Sequence, residues 1–459
     1  MHPAGRAVAS LLVLCAFVLC PLVNAAPAQA APAPTPDAAA SPEPALHPEG
    51  SATTASGAVA PVPTPAFDPE AATRQWLAKV PAADKARSDA YFEGGYWLQL
   101  WDFLYTLAVA WLLLGTGISR RLRELAQRTT RFRPLQTGIY AIGYTLLVVV
   151  LTFPFSVYSG FLREHKYGLS NQTFGAWLSD LAKGLGVSLV LATLGLMVLY
   201  GVIRRFPRAW WVMGAGVVLV LLAVVIIIAP VFIAPLFNKY TTLNDAKVRD
   251  PILRMAQANG VPAHDVWVFD ASKQTKRISA NVSGLAGTER VSLNDNLLNR
   301  ATLPEIESVM GHELGHYVLH HVYEDFFELG LLVVLGFAFL GGTFEAVRRR
   351  WGGRWGVTGV ADPAGLPLLA ALLTVAFFVM TPASNTIIRS NEGEADAFGL
   401  NAARQPDGFA SIALKLGEYR KLDPGELEEF LFFDHPSGRN RILMAMRWKA
   451  AHPGESTGP

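Results

Sequence analysis

The sequence predicts a mainly α, multi-pass helical membrane protein that carries two polar blocks. Three observations predict it. Six apolar stretches are each about long enough to cross a bilayer as a helix. The composition is 51% hydrophobic against 17% charged residues, outside the usual soluble range. The connections between the stretches are unequal in charge, with arginines clustered in alternate ones. The net charge of +2 decides nothing, and basic residues in short clusters between apolar runs are not the pattern of a nucleic-acid-binding face.

Residues 1–30 read as a secretory signal peptide: Arg6, an apolar run, then small residues around Ala25 and Ala30. Cys15 and Cys20, the two cysteines of the chain, lie inside it, so the mature protein could form no disulfide or cysteine metal site. Residues 31–70 are rich in Ala, Pro, Ser and Thr. They cannot bury enough apolar surface to offset their ordering entropy and are expected to be a disordered tether.

An N-terminal membrane region, 90–232, follows with four spans near 97–118, 136–157, 184–203 and 209–232. A polar block, 233–325, separates it from two further spans near 326–344 and 364–384, and a second polar block runs from 385 to 459. Arg120, Arg121, Arg123, Arg128, Arg131 and Arg133 follow the first span, Arg204, Arg205 and Arg208 the third, and Arg348, Arg349, Arg350 and Arg354 the fifth. Their positive charge makes these loops cytoplasmic and places both polar blocks on the opposite side, periplasmic in a bacterial inner membrane. In the first block, Val266 to Asp270 and Glu289 to Leu293 are strand-like and predict a small β-sheet, whose edge could hold an extended peptide.

The first polar block ends in "TLPEIESVMGHELGHYVLHH". Thr302 as cap, Glu305 three residues on and Pro304 in the first turn predict a helix start. On that helix His312 and His316, four residues apart, point to one face and can bind one metal, with Glu313 beside it. The five-residue pattern alone also fits a chance match on a solvated helix. In the second block, Asn385, Arg389, Glu392 and Asp396 follow the period of one helix face. Glu392 is the best candidate for a third ligand, and Asp396, one turn on, for an acceptor that orients a histidine. His320 is read as supporting the site or simply structural, His321 as facing away, and Glu394 as a surface residue.

With those residues placed, the chain resembles the membrane zinc peptidases of family M48, closest to the CAAX prenyl protease 1 (Ste24-type) branch. The likeness also runs through "REHKYGLSNQTFGAWLSDLAKG", "IAPLFNKYTTLND" and "KRISANVSGLAGTERVSLNDNLL". The resemblance implies a gluzincin-type zinc metalloprotease domain with one Zn2+ per chain on His312, His316 and Glu392, and Glu313 as general base and acid. It implies a substrate or oxyanion role for Asn281, and stabilisation of the tetrahedral intermediate by His435. Asn385, Arg389, Asp396 and His320 would support these groups. Implied partners are a protein or peptide substrate and the lipid bilayer, with no nucleic acid; the sequence carries no signal for oligomeric state. Eukaryotic members of the branch place the catalytic side in the cytosol, opposite to the arginine count. The rivals are an inactive metal-binding scaffold, against which all three ligands and the base are present, and a transporter, against which the spans carry almost no ionisable residue.

Overall fold

The computed structural model describes residues 28–29, 67–285 and 290–454. Apart from Ala28–Gln29, the predicted signal peptide lies outside them, as does most of the predicted tether. The tether's last two residues are already helical, because α1 (Pro69–Leu77) is capped by Asp68, whose side chain accepts from Glu70 N.

The six spans are long helices: α2 (Ala82–Gly115), α4 (Arg133–Val157, continued to Lys166), α5 (Phe174–Arg205), α6 (Trp210–Ile228, continued to Leu236), α10 (His321–Trp355) and α11 (Leu366–Ala403). Each is longer than the apolar stretch that predicted it, because further helical turns extend it into the flanking segments. Exposed apolar side chains such as Trp111, Val150 and Val220 face outward, as lipid-facing residues do. Inside, Tyr140, Tyr200, Phe337 and Phe344 are buried in one core shared by these spans.

Between the first two spans lies α3 (Ile118–Thr129). Its Arg123 donates to Gly356 O at 3.0 Å and pairs with Asp362 at 2.5 Å. The arginine-rich loops after the first and fifth spans therefore meet at one end of the helix bundle. At the other end α1 packs through Ala72, Trp76 and Leu77 on Phe409, Ile442 and Met446. Glu70 lies 3.3 Å from Arg439.

The first polar block folds as a mixed sheet beside α7 (Ala246–Ala258). Its strands are β1 (Tyr240–Thr242), β2 (Val266–Phe269), β3 (Ala280–Leu285) and β4 (Arg290–Asn294). Across the sheet β3 is antiparallel to β4, β4 parallel to β2, and β2 antiparallel to β1. Ala28–Gln29 pairs in parallel with β3 at Gly284 and Leu285. β2 and β4 are the two predicted strands, each within a residue of its expected ends. Val266, Val291 and Leu293, which reach no solvent, pack on the helix that carries the histidines.

After α8 (Asp295–Arg300) comes that helix, α9 (Leu303–Val318). The second block supplies α12 (Pro406–Leu416), α13 (Glu426–Phe432) and α14 (Gly438–Ala451).

Candidate metal centre

The first turn of α9 is fixed as the sequence predicts, with Thr302 N donating to Glu305 Oε2 at 2.7 Å. Glu305 is buried and also accepts from Ser411 Oγ at 2.6 Å and Lys415 Nζ at 2.7 Å. One carboxylate thus ends the helix and ties α9 to α12.

Glycines set how closely α9 approaches α11. A Cβ on Gly311 would stand 2.9 Å from Gly399 O, and one on Gly399 would stand 2.7 Å from His312 N. Gly315 meets the Ala395 backbone at 3.1 Å in the same way. Such backbone contact is open only to residues without a side chain, so the two glycines of GHELGH and Gly399 let Glu392 reach the histidines.

At that crossing three ligand atoms converge. His312 Nε2 lies 3.1 Å from His316 Nε2 and 3.2 Å from Glu392 Oε2, and His316 Nε2 lies 3.6 Å from Glu392 Oε1. A tetrahedral ion with bonds of about 2.0–2.1 Å separates its ligands by about 3.3 Å, close to these values. Glu392 Oε2 is buried, and despite its nearness to His312 it makes no well-aligned hydrogen bond. Two imidazole nitrogens and a carboxylate aimed at one point, one of them without a partner, fit a metal ion.

His312 Nδ1 lies 2.8 Å from Asp396 Oδ1, which fixes the ring with its proton on Nδ1 and its Nε2 lone pair toward the cluster. Asp396 reaches no solvent and is gripped by Arg441 of α14, Nε to Oδ2 at 2.8 Å and Nη2 to Oδ1. No spacing within "DHPSGRNRI" marks Arg441 as the partner of Asp396. Among the protein's own groups, burial works against a proton on His312, but Asp396 and Glu392 outweigh it and push the ring up to about 10. Burial, aided by the neighbouring imidazoles against Glu392, pulls His316 down to about 3. Burial pushes Glu313 up to about 7, with Glu392 adding to the shift and His312 and Arg441 opposing it.

Of the remaining candidates, His435 reaches the cluster, with Nε2 3.2 Å from Glu392 Oε1 and Nδ1 2.9 Å from Asp434 Oδ1. Asn385 and Arg389 hold the segment before it. Asn385 Nδ2 donates to Leu431 O at 2.8 Å, and Arg389 Nη1 donates to Glu429 O at 3.0 Å and to Phe433 O at 2.5 Å. Asn281 is half-buried on β3, opposite Ser292 of β4, and that strand packs against α9.

His320 does not reach the ligands. It is exposed, has φ 63° and forms the turn between α9 and α10. The neighbouring His321, expected to face away, is buried with its Nδ1 2.9 Å from His316 Nδ1. The expectation assumed one continuous helix; the left-handed residue at 320 ends α9 and turns His321 back toward His316.

A helical membrane bundle joined to a histidine–glutamate metal centre defines a membrane metallopeptidase, and comparison with known proteins agrees. Residues 73–239 match the model of the CAAX prenyl protease N-terminal region, described as five membrane helices, and residues 242–449 match that of peptidase family M48. The chain belongs to family M48 and is a CAAX prenyl protease-like membrane metalloprotease, whose family implies a bound metal. The metalloprotease YhfN of Bacillus subtilis is 29% identical over 75% of this chain and 82% of its own. The probable CAAX prenyl protease 1 of Schizosaccharomyces pombe is 30% identical over 68% of this chain and 67% of its own. The crystal structure of Ste24p from S. mikatae superposes with a TM-score of 0.68 at 21% identity, covering 82% of this chain and 95% of that one, and so shares the fold.

Proposed function

We propose that the chain is an endopeptidase using one zinc ion held by His312, His316 and Glu392. The observation that carries this reading is the convergence of those three ligand atoms beside a glutamate, Glu313, brought toward neutrality by burial. Zinc bound there supplies a Lewis acid that activates water and polarises the scissile carbonyl.

Glu313 takes the proton of the attacking water and later delivers it to the leaving amine. His435 Nε2 is placed to donate to the oxygen on which negative charge develops, and Asn281 offers its amide to the substrate from β3. The catalytic groups are split between the blocks 233–325 and 385–459, joined by the two spans of 326–384. Among the described residues, this outer edge of β3 is paired only at Gly284 and Leu285, and we assign its Asn281 end to an extended peptide. Main-chain recognition of this kind favours accessible, unfolded polypeptide, so misfolded or membrane-associated proteins are the substrates we favour. Prenylated CAAX proteins are the alternative, since the eukaryotic relatives are CAAX prenyl proteases by name.

The site faces the periplasm of a bacterial inner membrane in this reading. Helix α1 precedes the first span and packs on the second polar block, so both lie on one side, opposite the arginine-rich loops. Cysteines introduced at Arg131 and Glu426 would be labelled in intact cells with a membrane-impermeant maleimide. Labelling at 426 alone is expected; labelling at 131 alone would put the site in the cytosol.

For the chemistry, the purified chain in detergent would be given an unfolded protein, with bound metal measured in wild type and Glu313→Gln. The expected result is chelator-sensitive cleavage by wild type, and a variant that keeps its zinc but does not cleave. Zinc in both forms with cleavage by neither, lipidated peptides included, would overturn the reading.

A further inference from the structure

A second cluster of ligand groups lies on the other side of His316. His321 is 1% exposed, and its Nε2 reaches neither solvent nor any hydrogen-bond partner. A buried nitrogen left in that state is costly. Two carboxylates stand beside the ring: Glu394 Oε2 is 3.6 Å from Nε2, and one ligand atom from each of His321, Glu324 and Glu394 lies within 4.8 Å of the others. Glu324 is exposed, and the Glu394 side chain is 63% exposed, so the cluster opens to water. Among the described residues, no lysine or arginine pairs with either carboxylate.

We propose that His321, Glu324 and Glu394 form a second divalent-cation site. One imidazole and two carboxylates suit zinc and similar ions. The binding claim stands on these three residues alone; its effect on activity rests on the reading of His312, His316 and Glu392 as the catalytic zinc site.

The two sites adjoin through the 2.9 Å contact between His316 Nδ1 and His321 Nδ1. Two divalent charges held on opposite sides of one histidine pair repel each other. Filling either site therefore weakens the other, and the penalty is reciprocal. Excess cation inhibits the enzyme.

Equilibrium dialysis with Zn2+ on the full chain in detergent tests this, using wild type, Glu394→Gln and Glu324→Gln/Glu394→Gln. Wild type should bind one tight and one weaker equivalent, and the double variant only the tight one, whose retention reports a folded protein. Activity at stoichiometric zinc should match wild type, while the zinc concentration that inhibits should rise about tenfold or more in the double variant. Glu394→Gln should raise it in the same direction. A single equivalent in wild type, a weak equivalent surviving in the double variant, unchanged inhibition, or loss of both equivalents would each overturn the proposal. Dialysis counts metal whether or not the chain cleaves peptides, so failure of the second site is distinguishable from failure of the peptidase reading.

Discussion

Arg441 and Asp396 form a two-point ion pair in the interior, and the Asp396 oxygen that meets Arg441 Nη2 is also the one 2.8 Å from His312 Nδ1. The orientation of a ligand histidine thus depends on a residue of the last helix. Arg441→Ala leaves Asp396 buried without its counter-charge, and removing one member of a buried pair costs about 3–5 kcal/mol. Metal affinity should fall about 10–100-fold as His312 loses its fixed ring. Thermal unfolding and chelator competition measure the two effects.

Gly399→Ala keeps every ligand and changes only a distance. Its Cβ would stand 2.7 Å from His312 N and 3.0 Å from His312 Cα, so α9 and α11 must separate. Overpacking of this kind costs about 1–3 kcal/mol. Zinc affinity should drop with it, by the same competition assay, although no atom within bonding reach of the ion has been replaced.

Arg389→Ala should separate turnover from metal binding. It removes the donor to the Glu429 and Phe433 carbonyls and frees the segment that carries His435, while the three ligand atoms stay in place. The expected result is kcat lowered about 10-fold or more with zinc affinity unchanged, read by steady-state kinetics on metal-loaded protein.

Glu305 gives a pH dependence. Burial acts to raise its pKa, but Lys415, Ser411 and the Thr302 N–H outweigh burial and hold it below the usual glutamate range. A depressed folded pKa stabilises above the unfolded value of 4.5 and loses that contribution as pH falls through the folded value. Glu305→Gln should cost about 1–3 kcal/mol near neutrality. Its deficit against wild type should shrink as pH is lowered below 4.5, in melting curves taken across that range.

What the sequence made legible follows periodicity and local chemistry. The six spans, the α9 cap, β2, β4 and the convergence of His312, His316 and Glu392 come from patterns within one element, or from matched faces of two. Strands β1 and β3, which flank β2 and β4, carry no strong alternation and emerge only through pairing with them. Arg441 and His321 were missed for different reasons. Arg441 acts across a tertiary contact that no spacing encodes. His321 depends on a left-handed turn at His320, a residue with no glycine or asparagine to announce it.

Helix α11 is a lever with its two ends in different surroundings. Its 38 residues run about 57 Å, from Leu366 and Leu369 in the core shared by the spans to Glu392 and Asp396 near the other end, with Pro382 as the soft joint between. The histidines ride on α9, which is anchored in the water-facing core. Any change in bilayer thickness that tilts α11 therefore moves the carboxylates against the imidazoles. Hydrolysis should respond to acyl-chain length in reconstituted vesicles, so that the membrane itself tunes the enzyme.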